Sequence, residues 1–198
     1  MNGSRRTDLS RAGNPAGVRR RSLVPDGPSR VHLVLVRHGP AEDRDPVRWP
    51  NDRLRPLSAK GSRQTRQVAD GLVGLLDGVA RVASGPALRS RRTAEMVGTA
   101  LDPPREVELW PELDLDMPAA PILARVRREL RVRQTAVLVG HDPVLAELIG
   151  LALTGEDAAV AKLTKGGAAA LEFPASVRPG SARLLWLLTR KQLSGLGD

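Results

Sequence analysis

Two short apolar runs, each ending at a histidine beside a glycine, constrain the fold of this chain most. Residues 31–36, VHLVLV, lead into residues 37–39, RHG, and residues 135–140, TAVLVG, lead into His141. Apolar runs rich in β-branched residues are typical of strands that are buried on both faces of a parallel sheet. Because the carboxyl ends of parallel strands meet at one edge, neighbouring strands would bring His38 and His141 to the same crevice.

The segments around these runs predict an α/β fold. Helical and strand patterns alternate, which favours a three-layer sandwich with a mostly parallel central sheet and helices on both faces. We expect helices at 58–76, from 86 onward, at 118–131 and at 142–153, and further strands at 80–84, 106–110, 168–173 and 182–188. Ser58 and Asp142 are expected to cap their helices, with Pro86 and Pro143 in the first helical turns.

The charge of the chain is concentrated at its N-terminus. The net charge is +9, and residues 1–30 hold seven arginines but only two acidic residues. This segment is also rich in Gly, Pro and Ser, so it cannot bury enough apolar surface to offset its ordering entropy. We therefore predict a disordered basic tail at 1–30 and one domain at 31–198. An arm that binds nucleic acid is the less favoured interpretation of the tail.

Composition excludes several classes of protein. There is no cysteine, so disulfide frameworks and thiolate metal sites are excluded, and aromatic residues make up only 2% of the chain. Few aromatics leave little for base stacking. No apolar stretch approaches the length of a membrane span, and the tail lacks the apolar core of a secretory signal, so we expect a cytoplasmic protein.

Four side chains indicate phosphate chemistry. Arg37 adjoins His38, and Arg89 falls in the first turn of the helix expected after Pro86, where free backbone N–H groups also favour anions. Together with His141 they place two imidazoles and two guanidiniums at one crevice, and guanidinium binds phosphoryl oxygens in a bidentate manner. One neutral imidazole can attack phosphorus, while a second, protonated imidazole and the arginines stabilise charge without a metal or cofactor. A leaving group of high pKa would still need a carboxylic acid.

The sequence motifs that contain these four side chains resemble those of the histidine phosphatase superfamily, also called the phosphoglycerate-mutase-like family. The matching stretches are LVLVRHGPAE, SGPALRSRRTAE and VLVGHDP, in the family's order. RPLSAKGSRQTRQVADGL, LTKGGAAALEF and ARLLWLLT are similar to the branch of small SixA-type phosphohistidine phosphatases. The resemblance covers about residues 31–190, and it rests on the spaced combination of motifs because a lone RHG would be weak evidence.

The resemblance implies roles for individual residues. It implies that His38 accepts the phosphoryl group and that Arg37, Gly39, Arg89 and His141 bind it. These residues then form the catalytic and substrate-binding site, with no metal.

The general acid is less well defined. The family places its acid, where it has one, after a strand beyond the second motif. Glu112 is our candidate there, with Asp114 and Asp116 as competitors.

The chain also departs from the family pattern. Gly85 stands where the family usually has Ser, and Arg92 where it usually has Gln. Arg44 replaces an asparagine of the mutase branch, and Pro40 replaces its glutamate after RHG. These changes argue against mutase activity and leave the phosphatase residues in place.

The resulting hypothesis is a SixA-like phosphohistidine protein phosphatase. The domain leaves little room for a large inserted lid, and an open site suits phosphohistidine on the surface of a phosphotransfer protein. A phosphoramidate also places a smaller demand on the general acid. The alternative is a phosphomonoesterase that acts on a nucleotide, sugar or other small metabolite. A nucleic-acid-binding protein and a catalytically inactive binding module are further alternatives.

Overall fold

The computed structural model describes residues 30–174 and 176–197. The predicted basic tail lies outside these residues, apart from Arg30, which begins the first strand.

Strands and helices alternate along most of the chain. The strands are β1 (Arg30–Arg37), β2 (Val79–Ser84), β3 (Val107–Leu109), β4 (Thr135–Gly140), β5 (Ala168–Pro174) and β6 (Arg183–Leu188). The helices are α1 (Ala59–Val73), α2 (Leu88–Ala100), α3 (Ala119–Glu129), α4 (Val144–Thr154) and α5 (Arg190–Ser194), with short 3₁₀ turns at Asp52–Leu54 and Pro111–Leu113.

The strands form one six-stranded sheet in the order β3-β2-β4-β1-β5-β6. Strands β1, β4, β2 and β3 pair in parallel, while β5 runs antiparallel to both β1 and β6. In the β1–β4 pair Arg37 lies opposite Gly140, so both strands end at the same level. The two residues that follow, His38 and His141, therefore leave the sheet side by side.

Helices cover both faces of the sheet, which confirms the three-layer sandwich. Alternate residues of β1 belong to different cores, as a strand buried on both faces requires. Leu33 and Leu35 pack in the core beneath α3 and α4, whereas Val34 and Val36 pack in the core beneath α1 and α2. The site at the end of β1 thus rests on a strand that is held from both sides.

Several predicted helix ends differ in detail. Ser58 caps α1 as expected, since its hydroxyl accepts the N–H of Gly61 at 3.0 Å. The Asp142 cap is wrong, because its carboxylate accepts the N–H of Leu163 instead and α4 begins only after Pro143. Helix α2 likewise begins at Leu88, beyond Pro86. Tertiary contacts of the chain entering each helix override the local capping preference.

Within the described residues, no helix combines the length and the apolar character that crossing a membrane requires.

Gly85, directly after β2, allows a close approach between two loops. Its N–H donates to the carbonyl of Val139 at 3.2 Å, and an added Cβ would lie 2.4 Å from the carbonyl oxygen of Leu113. The 3₁₀ turn that ends at Leu113 therefore sits where a serine side chain would begin. The departure from the family's usual serine has a packing reason.

We therefore expect Gly85→Ala to lower the free energy of unfolding by about 1–3 kcal/mol, because the added methyl group overpacks the turn. The matched control is Gly195→Ala, whose added Cβ meets its nearest neighbour at an ordinary 3.6 Å. Urea denaturation of both variants checks this expectation. Equal free energies of unfolding for the two variants would contradict it, because the turn would then accommodate the added methyl group without loss of stability.

Candidate active site

The two histidines at the strand ends lie against each other. The ring centroids of His38 and His141 are 4.8 Å apart and the rings are inclined by 59°. Both residues are buried, with exposed fractions of 5% and 2%. The parallel pairing of β1 with β4 positions them, since the N–H of His38 donates to the carbonyl of Gly140 at 3.1 Å.

The His38 ring is held in one orientation by its own backbone. Its Nδ1 lies 2.7 Å from the carbonyl oxygen of Gly39, an acceptor, so in the neutral ring Nδ1 carries the proton and Nε2 does not. Gly39 permits this arrangement because an added Cβ would fall 2.0 Å from the hydroxyl of Thr65. The N–H of Gly39, which the sequence assigns to substrate binding, donates to the hydroxyl of Thr93 at 3.0 Å.

Arg37 reaches the loop that precedes β5. Its Nη1 donates to the carbonyl of Leu163 at 2.7 Å and lies 3.8 Å from a carboxylate oxygen of Asp142. The side chain is 18% exposed, so the guanidinium is held at the mouth of the site.

Arg89, in the first turn of α2, is almost completely buried and is held by Asp52. Its Nη1 donates to the backbone carbonyl of Asp52 at 2.6 Å, and its Nη2 donates to the carboxylate at 2.8 Å. The other carboxylate oxygen accepts the Nε–H of Arg55 at 2.8 Å. The hydrogen bond from Arg55 is the largest cause that holds the pKa of Asp52 below its ordinary value, and the Arg89 charge adds to it.

Sequence reasoning missed Asp52 and Ser90. The Ser90 hydroxyl lies 3.2 Å from Nε2 of His141. The only local signal for Asp52 is its spacing of three residues from Arg55, which is typical of a surface ion pair. Nothing local indicates that its carboxylate reaches Arg89, which lies 37 residues further along the chain.

Burial keeps both imidazoles neutral. Desolvation is the largest cause that lowers the pKa of His38 to about 3. The unfavourable interaction between two protonated rings and the charges of Arg89 and Arg37 lower it further, whereas the hydrogen bond to the Gly39 carbonyl raises it. Desolvation and the Arg89 charge lower the pKa of His141 to about 3, although Asp52 opposes them. The protonated second imidazole expected during phosphoryl transfer stays a prediction, since the lowered pKa of His141 describes the ring buried beside guanidinium groups in this structure.

The three candidate general acids have different surroundings in the structure. The Glu112 carboxylate accepts a hydrogen bond from Nη1 of Arg125 at 2.9 Å. The Arg125 guanidinium lies 4.4 Å from the centre of the Trp110 ring. Within the described residues, no hydrogen bond or ion pair joins Glu112 to either site histidine. Asp116 is exposed.

Asp114 is linked to the site through the Arg89 guanidinium. It is 8% exposed, pairs with Arg53 at 2.7 Å, and its negative charge is among the influences on the Arg89 guanidinium.

Among the residues described, the structure contains no group of three or more histidine, aspartate or glutamate side chains that could hold a metal ion. The positive charges that act on both histidines include the guanidiniums of Arg37 and Arg89.

Comparisons with known proteins find relatives of this chain. The model of the histidine phosphatase superfamily (branch 1) matches residues 33–116. The chain is 28% identical to the phosphohistidine phosphatase SixA of Escherichia coli (strain K12) over 130 residues, which are 64% of this chain and 76% of that protein. It is 32% identical to an uncharacterized protein of Picosynechococcus sp. over 161 residues, 78% of this chain and 88% of that protein.

Solved structures show the same fold. The histidine phosphatase SixA complexed with tungstate superposes with a TM-score of 0.69 at 24% identity, over 82% of this chain and 99% of that one. Phosphoserine phosphatase of Entamoeba histolytica superposes with a TM-score of 0.59 at 18% identity, over 82% and 99%. These solved structures show the fold, and the match to the family model identifies the chain as a member of the histidine phosphatase superfamily.

Proposed function

We propose that this protein is a phosphohistidine protein phosphatase that works through a phosphoryl group on His38. The observation that carries the proposal is the pair of buried, neutral imidazoles, 4.8 Å apart, with the guanidiniums of Arg37 and Arg89 beside them. Similarity to a protein phosphohistidine phosphatase over most of the domain supports the same substrate class.

The nucleophile is Nε2 of His38. The Nδ1–H bond to the Gly39 carbonyl leaves Nε2 unprotonated, so its lone pair can attack phosphorus. The bond between phosphorus and the leaving group breaks as the Nε2–P bond forms, and the same carbonyl stabilises the positive charge that develops on the ring. Water then attacks the phosphoryl group, which leaves as phosphate, and His38 returns to its neutral form.

Positively charged side chains and backbone N–H groups stabilise the negative charge on the equatorial oxygens of the phosphoryl group during transfer. Arg37 and Arg89 supply fixed positive charge, and the first turn of α2 supplies backbone N–H groups near Arg89. A bound phosphoryl dianion favours protonation of His141, which is neutral without it, so this ring can donate once substrate is present. The reaction proposed here therefore uses no metal.

The arrangement of acids supports a phosphoramidate substrate. Glu112, the predicted acid, is engaged by Arg125, so its role stays a prediction. Imidazole is a better leaving group than an alcohol, so phosphohistidine needs less help from an acid. A phosphomonoesterase is the second candidate, and the observation that favours it is Asp114, a buried carboxylate close enough to influence Arg89.

Trapping of the covalent intermediate tests the proposed function. A phosphotransfer protein carrying labelled phosphohistidine should transfer label to the wild-type protein, as an adduct that is labile in acid and stable in base. His38→Ala should abolish the adduct, whereas His32→Gln, at the histidine outside the site, should retain it. An adduct that persists in His38→Ala would remove His38 from this role. Parallel rates with metabolite phosphates would decide between the two substrate classes.

Arg89→Lys should lower kcat/KM by about a hundredfold, since an ammonium cannot reproduce the planar, bidentate contact with developing phosphoryl charge. The matched control is Arg92→Lys on the same helix, where the exposed side chain pairs with Glu95 at 2.8 Å. Steady-state kinetics with phosphohistidine measure both variants. A loss of less than threefold in Arg89→Lys would contradict the proposed contact.

The neutral histidines also predict how stability depends on pH. The unfolded chain takes up protons at histidine near pH 6.5, whereas folded His38 resists protonation down to about pH 3, so acid favours the unfolded state. Between about pH 7.5 and 5.5, His38 alone should remove about 1.4 kcal/mol of stability. His38→Gln should therefore lose that much less than wild type when urea denaturation is compared at the two pH values. Identical losses would mean that folded His38 titrates normally.

A further inference from the structure

We propose that Asp52 is a positioning residue that fixes the plane of the Arg89 guanidinium and leaves its Nε edge for the phosphoryl group. This inference rests on the proposed function, because it assigns Asp52 a task at the same phosphoryl site.

Asp52 holds Arg89 at two points. Its backbone carbonyl accepts from Nη1 at 2.6 Å and its carboxylate accepts from Nη2 at 2.8 Å. Two acceptors on the two terminal nitrogens of a planar group determine the orientation of the whole guanidinium. The side chain of Arg89 is only 2% exposed, so water does not compete freely for these contacts.

The remaining edge of the guanidinium lacks an acceptor. Nε of Arg89 is buried, and within the described residues it has no hydrogen-bond partner. A buried donor without an acceptor is unfavourable, and Nε lies on the same edge as the second hydrogen of Nη2. Phosphoryl oxygens match such an edge in a bidentate manner. Asp52 and the phosphoryl group thus take adjacent edges of one guanidinium, which share Nη2.

Asp52 is itself held in place. Its second carboxylate oxygen accepts from Nε of Arg55 at 2.8 Å, and Nη1 of Arg55 donates to the carbonyl of Glu42 at 2.7 Å. The turn that carries Asp52 is capped by Asn51, whose side chain accepts the N–H of Arg53 at 3.1 Å. Each oxygen of the carboxylate is therefore committed to a different arginine, which opposes its rotation.

The negative charge of Asp52 distinguishes the positioning role from an alternative, in which its carboxylate only occupies the place of the substrate. A carboxylate inside an anion site repels the phosphoryl group, so if Asp52 merely occupied the place of the substrate, its removal would improve binding and turnover. If Asp52 orients Arg89, its removal impairs turnover. Kinetics of Asp52 variants therefore separate the two roles by sign.

We expect Asp52→Ala to lower kcat about tenfold, the equivalent of one lost charge-assisted hydrogen bond. Asp52→Asn keeps an oxygen acceptor and should remain within about threefold of wild type. Turnover of free phosphohistidine and of p-nitrophenyl phosphate supplies kcat and KM, and thermal melting reports folding. The control is Asp43→Ala, an exposed aspartate in the same loop, which should match wild type.

A double-mutant cycle with Arg89→Ala decides whether Asp52 acts through Arg89. If it does, adding Asp52→Ala to Arg89→Ala should change kcat/KM less than twofold. A further tenfold loss in that background, or a gain of activity in Asp52→Ala, would overturn the assignment. If Asp52→Ala does not fold, a loss larger than tenfold in folded Asp52→Asn would overturn it as well.

The same experiment separates this inference from the proposed function. A wild-type protein that hydrolyses neither probe, nor phosphohistidine on a protein, overturns both. An active wild type with a fully active Asp52→Ala overturns the role of Asp52 alone.

Discussion

The parallel pairing of β1 with β4 is the constraint on which the site depends. Because Arg37 lies opposite Gly140, the next residue on each strand is a histidine at the same edge of the sheet. A slip of one residue in this register would turn each side chain toward the other face of the sheet and exchange the two cores. The apolar side chains on both faces of β1 therefore define not only the sheet but also the distance between the two imidazoles.

Burial gives this pair its chemistry. A histidine in water is partly protonated near neutral pH, whereas these two rings are held neutral by desolvation and by neighbouring guanidiniums. The arginines are in turn accompanied by carboxylates, Asp142 near Arg37 and Asp52 against Arg89. The positive charge next to the neutral nucleophile is thus held at defined positions, which favours stabilisation of developing phosphoryl charge without reorganisation of the site.

Features that depend on local sequence pattern could be predicted, whereas features that depend on contacts between distant segments could not. Buried strands at 31–36 and 135–140 follow from their apolar runs, and parallel pairing then brings the histidines together. The expected cap at Asp142 failed because its carboxylate faces Leu163, which no helix-start rule could reveal. The ion pair of Glu112 with Arg125 and the contact of Asp52 with Arg89 join distant segments, so no spacing rule indicates them. The neutral state of His141 depends on burial, which a single sequence does not report.

The position of a bound tungstate ion tests the central claim most directly, since tungstate resembles a phosphoryl group in transfer. A crystal structure of the tungstate complex should show one oxyanion within hydrogen-bond distance of Arg37, Arg89 and His141. Nε2 of His38 should point at the tungsten atom, on the side opposite the oxygen that represents the leaving group. An ion bound away from both imidazoles, or a His38 ring whose Nε2 faces away from it, would contradict the account.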